Sequence, residues 1–135
     1  MTGSETGLAD AVVDPVTAVA GDAVSVPMVG GIPPWREVDD VLSASWPGAD
    51  TFLIVGSNTE HEVAALAGMI RGLRPDAGVA VSRHLTATAT PDAHFAALRH
   101  TLPMQGVDVL LDLADVVAFL GLAPGSLDAF GAERC

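Results

Sequence analysis

The chain has 135 residues, 50% of them hydrophobic and only 4% aromatic, so it is too apolar for a disordered chain and long enough for one domain with a core of Val, Leu and Ala. Its formal net charge is −11 and it contains no lysine, which argues against nucleic acid or an anionic membrane as a partner. The single cysteine, Cys135, cannot form an intramolecular disulfide, and the sequence shows neither a secretory signal nor a membrane span, so we expect a cytoplasmic protein.

The amino-terminal region divides into a tail and the start of the domain. Residues 1–10 are small and polar without periodicity, so we expect a disordered tail followed by a single α/β domain over residues 11–135. Residues 16–29 form two β-rich runs around Gly21-Asp22, which predicts a tight hairpin. Pro27 cannot donate to a ladder, so the second strand of this hairpin should lie at an edge.

The next segment, residues 36–46, has the pattern of an amphipathic helix. Its apolar residues recur every three or four positions, which places them on one face. Trp46 continues that stripe, and we expect it to fill space in the core.

Three apolar runs then alternate with helical segments. Residues 51–55, 78–84 and 107–113 read as strands, and the segments between them read as helices that end at Pro75 and Pro103. Crossovers of this length join parallel strands. The sequence therefore predicts an α/β fold: a small, mostly parallel sheet with flanking helices, plus the amino-terminal β-hairpin.

Polar residues follow all three strands, and they are the predicted site. Ligands bind beyond the carboxyl ends of parallel strands, where loops and helix amino termini meet. We expect His84 to act as an acid–base group with Asp112 as its carboxylate neighbour, and Ser57, Asn58 and Asp115 to contact a small polar ligand. The sequence identifies no cofactor and leaves open whether the protein is an enzyme.

The stretch around Asn58 also has a purely structural interpretation. Ser57 and Thr59 each precede a glutamate by three residues, which is the spacing of a capping box. Glu60 and Glu62 already complement the positive end of the helix dipole and would repel a phosphate. A neutral or cationic ligand group therefore suits this stretch better.

Two catalytic alternatives use the same residue types. A hydrolase would employ Ser57, His84 and Asp112 as nucleophile, base and orienting acid, but the G-x-S-x-G elbow is missing around Ser57. Nucleotide-binding glycine motifs are absent as well.

A metal site is the other alternative. It would combine His84 and His61 with Asp112 or Asp115, a mixed nitrogen and oxygen set. No histidine pair has the H-x-x-x-H spacing, and His94 lies six residues from the next histidine, so those two imidazoles point away from each other on one helix.

Residues 52–81 resemble the strand–GS–long-helix–strand unit of the small tetrapyrrole chelatases. That resemblance implies a metal-handling histidine near the strand end. Here Val55-Gly56-Ser57 occupies the position and His61 follows only inside the helix, so we do not assign the chain to that family.

A non-catalytic role competes with ligand binding. A sheet of few strands leaves edges and apolar surface that association would cover. The chain could therefore be an acidic interaction module that docks to a larger enzyme or self-associates, and we expect a homo-oligomer.

Overall fold

A computed structural model describes Val26 and residues 32–122 of the chain. The predicted tail and most of the predicted hairpin lie outside the described residues, as does Cys135.

The described part is built on a three-stranded parallel sheet. Strands β1 (Thr51–Ser57), β2 (Gly78–Ala87) and β3 (Asp108–Leu110) lie in the order β1-β2-β3, so β2 is central. Thr51 pairs with Gly78, and Ala80 pairs with Asp108. The predicted α/β fold with parallel strands is confirmed, and the carboxyl ends of all three strands point the same way.

Within residues 32–122, one helix precedes the sheet, two connect its strands and one follows the last strand. Helix α1 spans Trp35–Ser45, and α2 consists of a π-helical first turn, Thr59–Val63, and an α-helical part, Ala64–Leu73. Helix α3 begins as Pro91–Ala96, widens into a π-helical turn at Ala97–Thr101 and ends with Leu102–Met104; α4 spans Leu113–Phe119.

The start of α3 follows the sequence signal closely. The Thr90 hydroxyl accepts a hydrogen bond of 3.2 Å from the backbone N–H of Ala93, and Pro91 occupies the first turn. A capping hydroxyl and a proline whose missing N–H is not needed there are strong helix-start signals. The carboxyl end of β2 is thereby followed within a few residues by a helix amino terminus.

The core lies between the sheet and the apolar faces of the helices. Val79 and Val81 of β2 and Leu102 of α3 have no exposed surface. The other buried apolar residues of this cluster are Val38, Leu42, Ile54, Val63, Ala64, Ala67, Ile70, Leu98 and Val107. The expectation that Trp46 fills space in the core is wrong, because Trp46 is 40% exposed; it is the residue that ends α1, one position beyond the last helical residue.

Strand β2 is longer than predicted because its middle departs from the regular ladder. Ile54 pairs with Val81 and Gly56 pairs with Thr86, so Val55 alone lies opposite residues 82–85. We call residues 82–85 the β2 bulge. It continues the central strand to Ala87, three residues beyond the predicted end.

Two side-chain hydrogen bonds hold the β2 bulge. The buried Ser82 hydroxyl accepts from the backbone N–H of His84 at 3.2 Å, and the Thr86 hydroxyl donates to the Ser82 carbonyl at 2.8 Å. These bonds satisfy polar groups that the interrupted ladder leaves unpaired. Strand β3, by contrast, is shorter than predicted and ends at Leu110.

Candidate functional site

A group of polar side chains connects the end of β1, the end of β2 and the start of α3. We call it the rim cluster; its members are Asn58, Thr59, Glu60, Glu62, Thr88 and His94. The cluster lies where the carboxyl ends of β1 and β2 meet, since Ser57 pairs with Ala87. This is the edge at which open parallel sheets bind ligands.

The strongest link in the rim cluster joins α2 to α3. Thr59 has no exposed surface, and its Oγ1 lies 2.8 Å from Nδ1 of His94. His94 itself is half-buried. Because a buried hydroxyl needs a partner, this bond both satisfies Thr59 and fixes the imidazole on the rim.

A second link joins the loop after β2 to α2. The Thr88 hydroxyl donates to Glu60 Oε1 at 2.8 Å. Asn58 Oδ1 lies 3.4 Å from the same hydroxyl, which exceeds the usual distance for an O–H···O bond. The single hydroxyl proton therefore goes to Glu60, and the Asn58 amide borders this contact.

Glu62 caps the helix in place of the serine and threonine that the sequence suggested. The backbone N–H of Asn58 donates to Glu62 Oε2 at 2.5 Å. Asn58 is the N-cap residue, and its own side chain makes no capping hydrogen bond. The π-helical turn inserts one extra residue, so the glutamate that reaches back lies four positions after the cap instead of the usual three.

The electrostatics of the rim cluster favour the charged form of Glu60. The hydrogen bond from Thr88 lowers the pKa of Glu60 below its ordinary value of 4.5, and its own backbone N–H and the imidazoles of His61 and His94 act in the same direction. His61 Nε2 also lies 3.6 Å from Glu62 Oε1. The rim therefore presents carboxylate oxygens next to an imidazole.

The five residues predicted from the sequence are distributed over the same edge of the sheet. Asn58 belongs to the rim cluster, and Ser57 ends β1 with an exposed side chain. His84 lies in the β2 bulge, exposed, with Nε2 3.4 Å from the guanidinium of Arg83. Asp112 caps α4: its Oδ1 accepts from the backbone N–H of Asp115 at 2.9 Å.

The predicted acid–base pair of His84 and Asp112 is not formed in this structure. Over residues 32–122, neither a hydrogen bond nor an ion pair joins His84 to Asp112, and Ser57 has no side-chain hydrogen bond to either. The catalytic assignment of His84 and Asp112 and the ligand-binding assignment of Ser57, Asn58 and Asp115 stay predictions. The metal alternative lacks a donor set, because no three His, Cys, Asp or Glu side chains among the described residues are placed to hold an ion.

Sequence reasoning missed Thr88 and His94. The predicted strand ends at His84 and therefore omits Thr86 and Ala87, which pair with Gly56 and Ser57 at the end of β1. The signal that could have found His94 was already visible: the Thr90-Pro91 helix start places His94 in the first turns of the helix that follows β2. Ligands bind where helix amino termini meet the carboxyl ends of parallel strands, which makes this histidine a site candidate.

An apolar cavity of 290 Å³ lies apart from the rim cluster, between α1 and α2. It is lined by Val26, Pro33, Val38, Val41, Leu42, Trp46, Leu66 and Ile70. It shares no residue with the rim cluster and contains no titratable side chain, so we place the polar chemistry at the rim.

Comparisons with protein families, with curated proteins and with solved structures give no match. Within the part of the chain that the structure describes, no helix is long and apolar enough to cross a membrane.

Proposed function

We propose that this protein binds a small polar molecule at the rim cluster. The Thr59–His94 hydrogen bond carries the proposal, since it uses a fully buried hydroxyl to hold a half-exposed imidazole at the edge where parallel sheets bind ligands. Side chains from both strand ends converge on the same spot, and ligand sites typically combine a few such fixed polar groups.

The charges of the rim define the ligand that it favours. Glu60 and Glu62 both lie in the first turn of α2, and their negative charge opposes phosphates and carboxylates. One oxygen of Glu60 accepts from Thr88, which leaves the other to accept from a ligand. We therefore propose a neutral or cationic ligand that offers hydrogen-bond donors, such as an amide, an amine or a polyol.

Ligand-dependent thermal stabilisation tests this proposal. The purified full chain is screened against amides, primary amines, amino alcohols and polyols, with matched carboxylates and phosphates as the disfavoured class. A ligand at 100 times its Kd should stabilise the fold by about 2.7 kcal/mol. The stabilisation should disappear in His94→Ala and persist in His100→Ala, a matched control on the same helix whose side chain is exposed.

Two results would contradict the proposal: no stabilisation by any member of the panel, or equal stabilisation of the parent and of His94→Ala. The variant His84→Ala tests the sequence-based acid–base assignment within the same experiment. Loss of the response in His84→Ala but not in His94→Ala would place the ligand next to His84 and Asp112 instead of at the rim cluster.

A second candidate function is a non-catalytic interaction module, which exposed apolar side chains near the strand ends favour. Val55 and Leu111 are 54% and 55% exposed, and Leu85 of the β2 bulge is 40% exposed. Exposed apolar patches commonly mark protein–protein contacts. If the predicted homo-oligomer forms through these side chains, then Val55→Ser and Leu111→Ser should reduce the mass measured by light scattering, whereas Met104→Ser, an exposed substitution in α3, should not.

The cytoplasmic location is likewise part of this proposal. It is supported by the single cysteine of the sequence, because proteins of oxidising compartments commonly use disulfide pairs. Fractionation of cells that produce the full chain would test it.

A further inference from the structure

The Thr59–His94 hydrogen bond restricts which ring nitrogen of His94 carries the proton. A threonine hydroxyl has one proton to donate and two lone pairs to accept with. Thr59 has no exposed surface, and within residues 32–122 its hydroxyl has a single hydrogen-bond partner, Nδ1 of His94. Among the described residues, the hydroxyl proton of Thr59 therefore has one acceptor, Nδ1 of His94.

This restriction selects between the two neutral forms of His94. If Nδ1 carried the proton, it would donate to Thr59 Oγ1, and the hydroxyl proton would be buried without an acceptor. Leaving a buried donor unsatisfied is costly. If Nδ1 is bare, the hydroxyl donates to it and both groups are satisfied, and the imidazole proton then resides on Nε2.

We propose that Thr59 is a positioning residue that fixes His94 in the tautomer with its proton on Nε2. Within the described residues, Nε2 of His94 has no hydrogen-bond partner. His94 therefore presents a donor at the rim. One consequence rests on the proposed function. The ligand must place an acceptor oxygen, such as a carbonyl or a hydroxyl, against Nε2 of His94 while its own donors face Glu60.

Nuclear magnetic resonance of the unliganded protein tests the tautomer directly. The full chain, labelled with nitrogen-15, is measured in a long-range proton–nitrogen correlation at about pH 8, where imidazoles of ordinary pKa are neutral. His94 is assigned by the signals that vanish in His94→Ala. The exposed His100 supplies the averaged pattern of an imidazole that exchanges freely between tautomers.

The expected spectrum shows His94 with a bare Nδ1 and a protonated Nε2, clearly separated from the averaged pattern of His100. Thr59→Ser keeps the hydroxyl and should keep this pattern. Thr59→Val removes the hydroxyl at nearly constant shape and should shift His94 to the averaged pattern. A buried threonine that served packing alone would leave the His94 signals unchanged in Thr59→Val.

Three outcomes would overturn the proposal: a protonated Nδ1 in the parent protein, an averaged His94 pattern in the parent, or an unchanged pattern in Thr59→Val. If Thr59→Val does not fold, the spectra of the parent and of Thr59→Ser still decide. The experiment needs no ligand. If no compound of the panel stabilises the protein but the tautomer of His94 is fixed, the proposed function is wrong and the role of Thr59 still stands.

Discussion

The first turns of α2 and α4 contain the same kinds of polar and acidic residues, but these residues bond to different partners. Each follows the carboxyl end of a strand, and each places polar and acidic side chains in its first turn. At α4 the Asp112 carboxylate accepts from the N–H of Asp115 and so serves its own helix. At α2 the capping is done by Glu62, while Thr59 bonds to His94 of another helix.

This difference shows what distinguishes a helix cap from a candidate site when the residue types are alike. A cap satisfies groups close to it in the chain, and its partners are three or four residues away. The rim cluster joins residues that are far apart: Thr59 and His94 are separated by 35 positions, and Glu60 and Thr88 by 28. Long-range polar contacts tie separate elements together and give a ligand several groups at fixed positions.

Removing the imidazole from the rim should produce the largest loss of stability. In His94→Ala the buried Thr59 hydroxyl loses its partner, and we expect the free energy of unfolding to fall by about 1–3 kcal/mol. Urea unfolding followed by circular dichroism measures the change. His100→Ala, an exposed substitution on the same helix, is the control, and an equal loss in both variants would show that Thr59 does not depend on His94.

Removing the cap of α4 should have a smaller and purely local effect. Asp112→Ala eliminates the hydrogen bond to the N–H of Asp115, and loss of such a cap typically costs about 1 kcal/mol. Amide hydrogen exchange should accelerate in α4 and stay unchanged in α2. Faster exchange around Thr59 would indicate that the two helix starts are coupled and that the cap of α4 is not purely local.

The pKa of Glu60 gives a finer test of the long-range contact with Thr88. Because this pKa is lowered in the folded protein, the contribution of Glu60 to stability is fully present above the ordinary value of 4.5 and is lost as the pH falls through the folded pKa. Thr88→Val should raise the pKa of Glu60 toward its ordinary value. A carbon-13 titration of the Glu60 carboxyl would measure the shift, and an unchanged pKa would contradict the contact.

The smallest expected effect belongs to His84. Its ring is exposed and its contact of 3.4 Å is with Arg83, so His84→Ala should change the free energy of unfolding by no more than about 0.5 kcal/mol. The backbone N–H that donates to Ser82 is retained in this variant. A loss as large as that of His94→Ala would show that the β2 bulge depends on the imidazole.

The architecture could be predicted from the sequence because its signals are local. The apolar runs at residues 51–55 and 78–84, and the helix start at Thr90-Pro91, depend on near neighbours in the chain. Crossover length then sets the strands parallel. Boundaries that depend on pairing with another strand were wrong, as at the end of β2, where the departure from the ladder is set jointly by Ile54 and Gly56 of β1.

The rim cluster could be predicted only in part for the same physical reason. Asn58 was identified because it directly follows an apolar run. The spacing of His94 from His100 does not indicate a site, because the partner of His94 lies 35 positions away in α2. Thr59 was interpreted as a cap because nothing in the local sequence shows that its hydroxyl is buried against another helix.

The β2 bulge should allow the central strand to tolerate an inserted residue. Regular pairing with β1 resumes at Gly56 and Thr86, after four residues of β2 that lie opposite Val55 alone in β1. Ser82, the first of the four, still pairs with Leu110 of β3. An extra amino acid inserted after Leu85 should cost the hydrogen bond between Thr86 and the Ser82 carbonyl but keep the strand pairs on either side of the bulge, whereas the same insertion after Val79 would move the following side chains of β2 to the opposite face. The protein thus carries, in the middle of its sheet, a natural attachment point for a grafted peptide or a spectroscopic label.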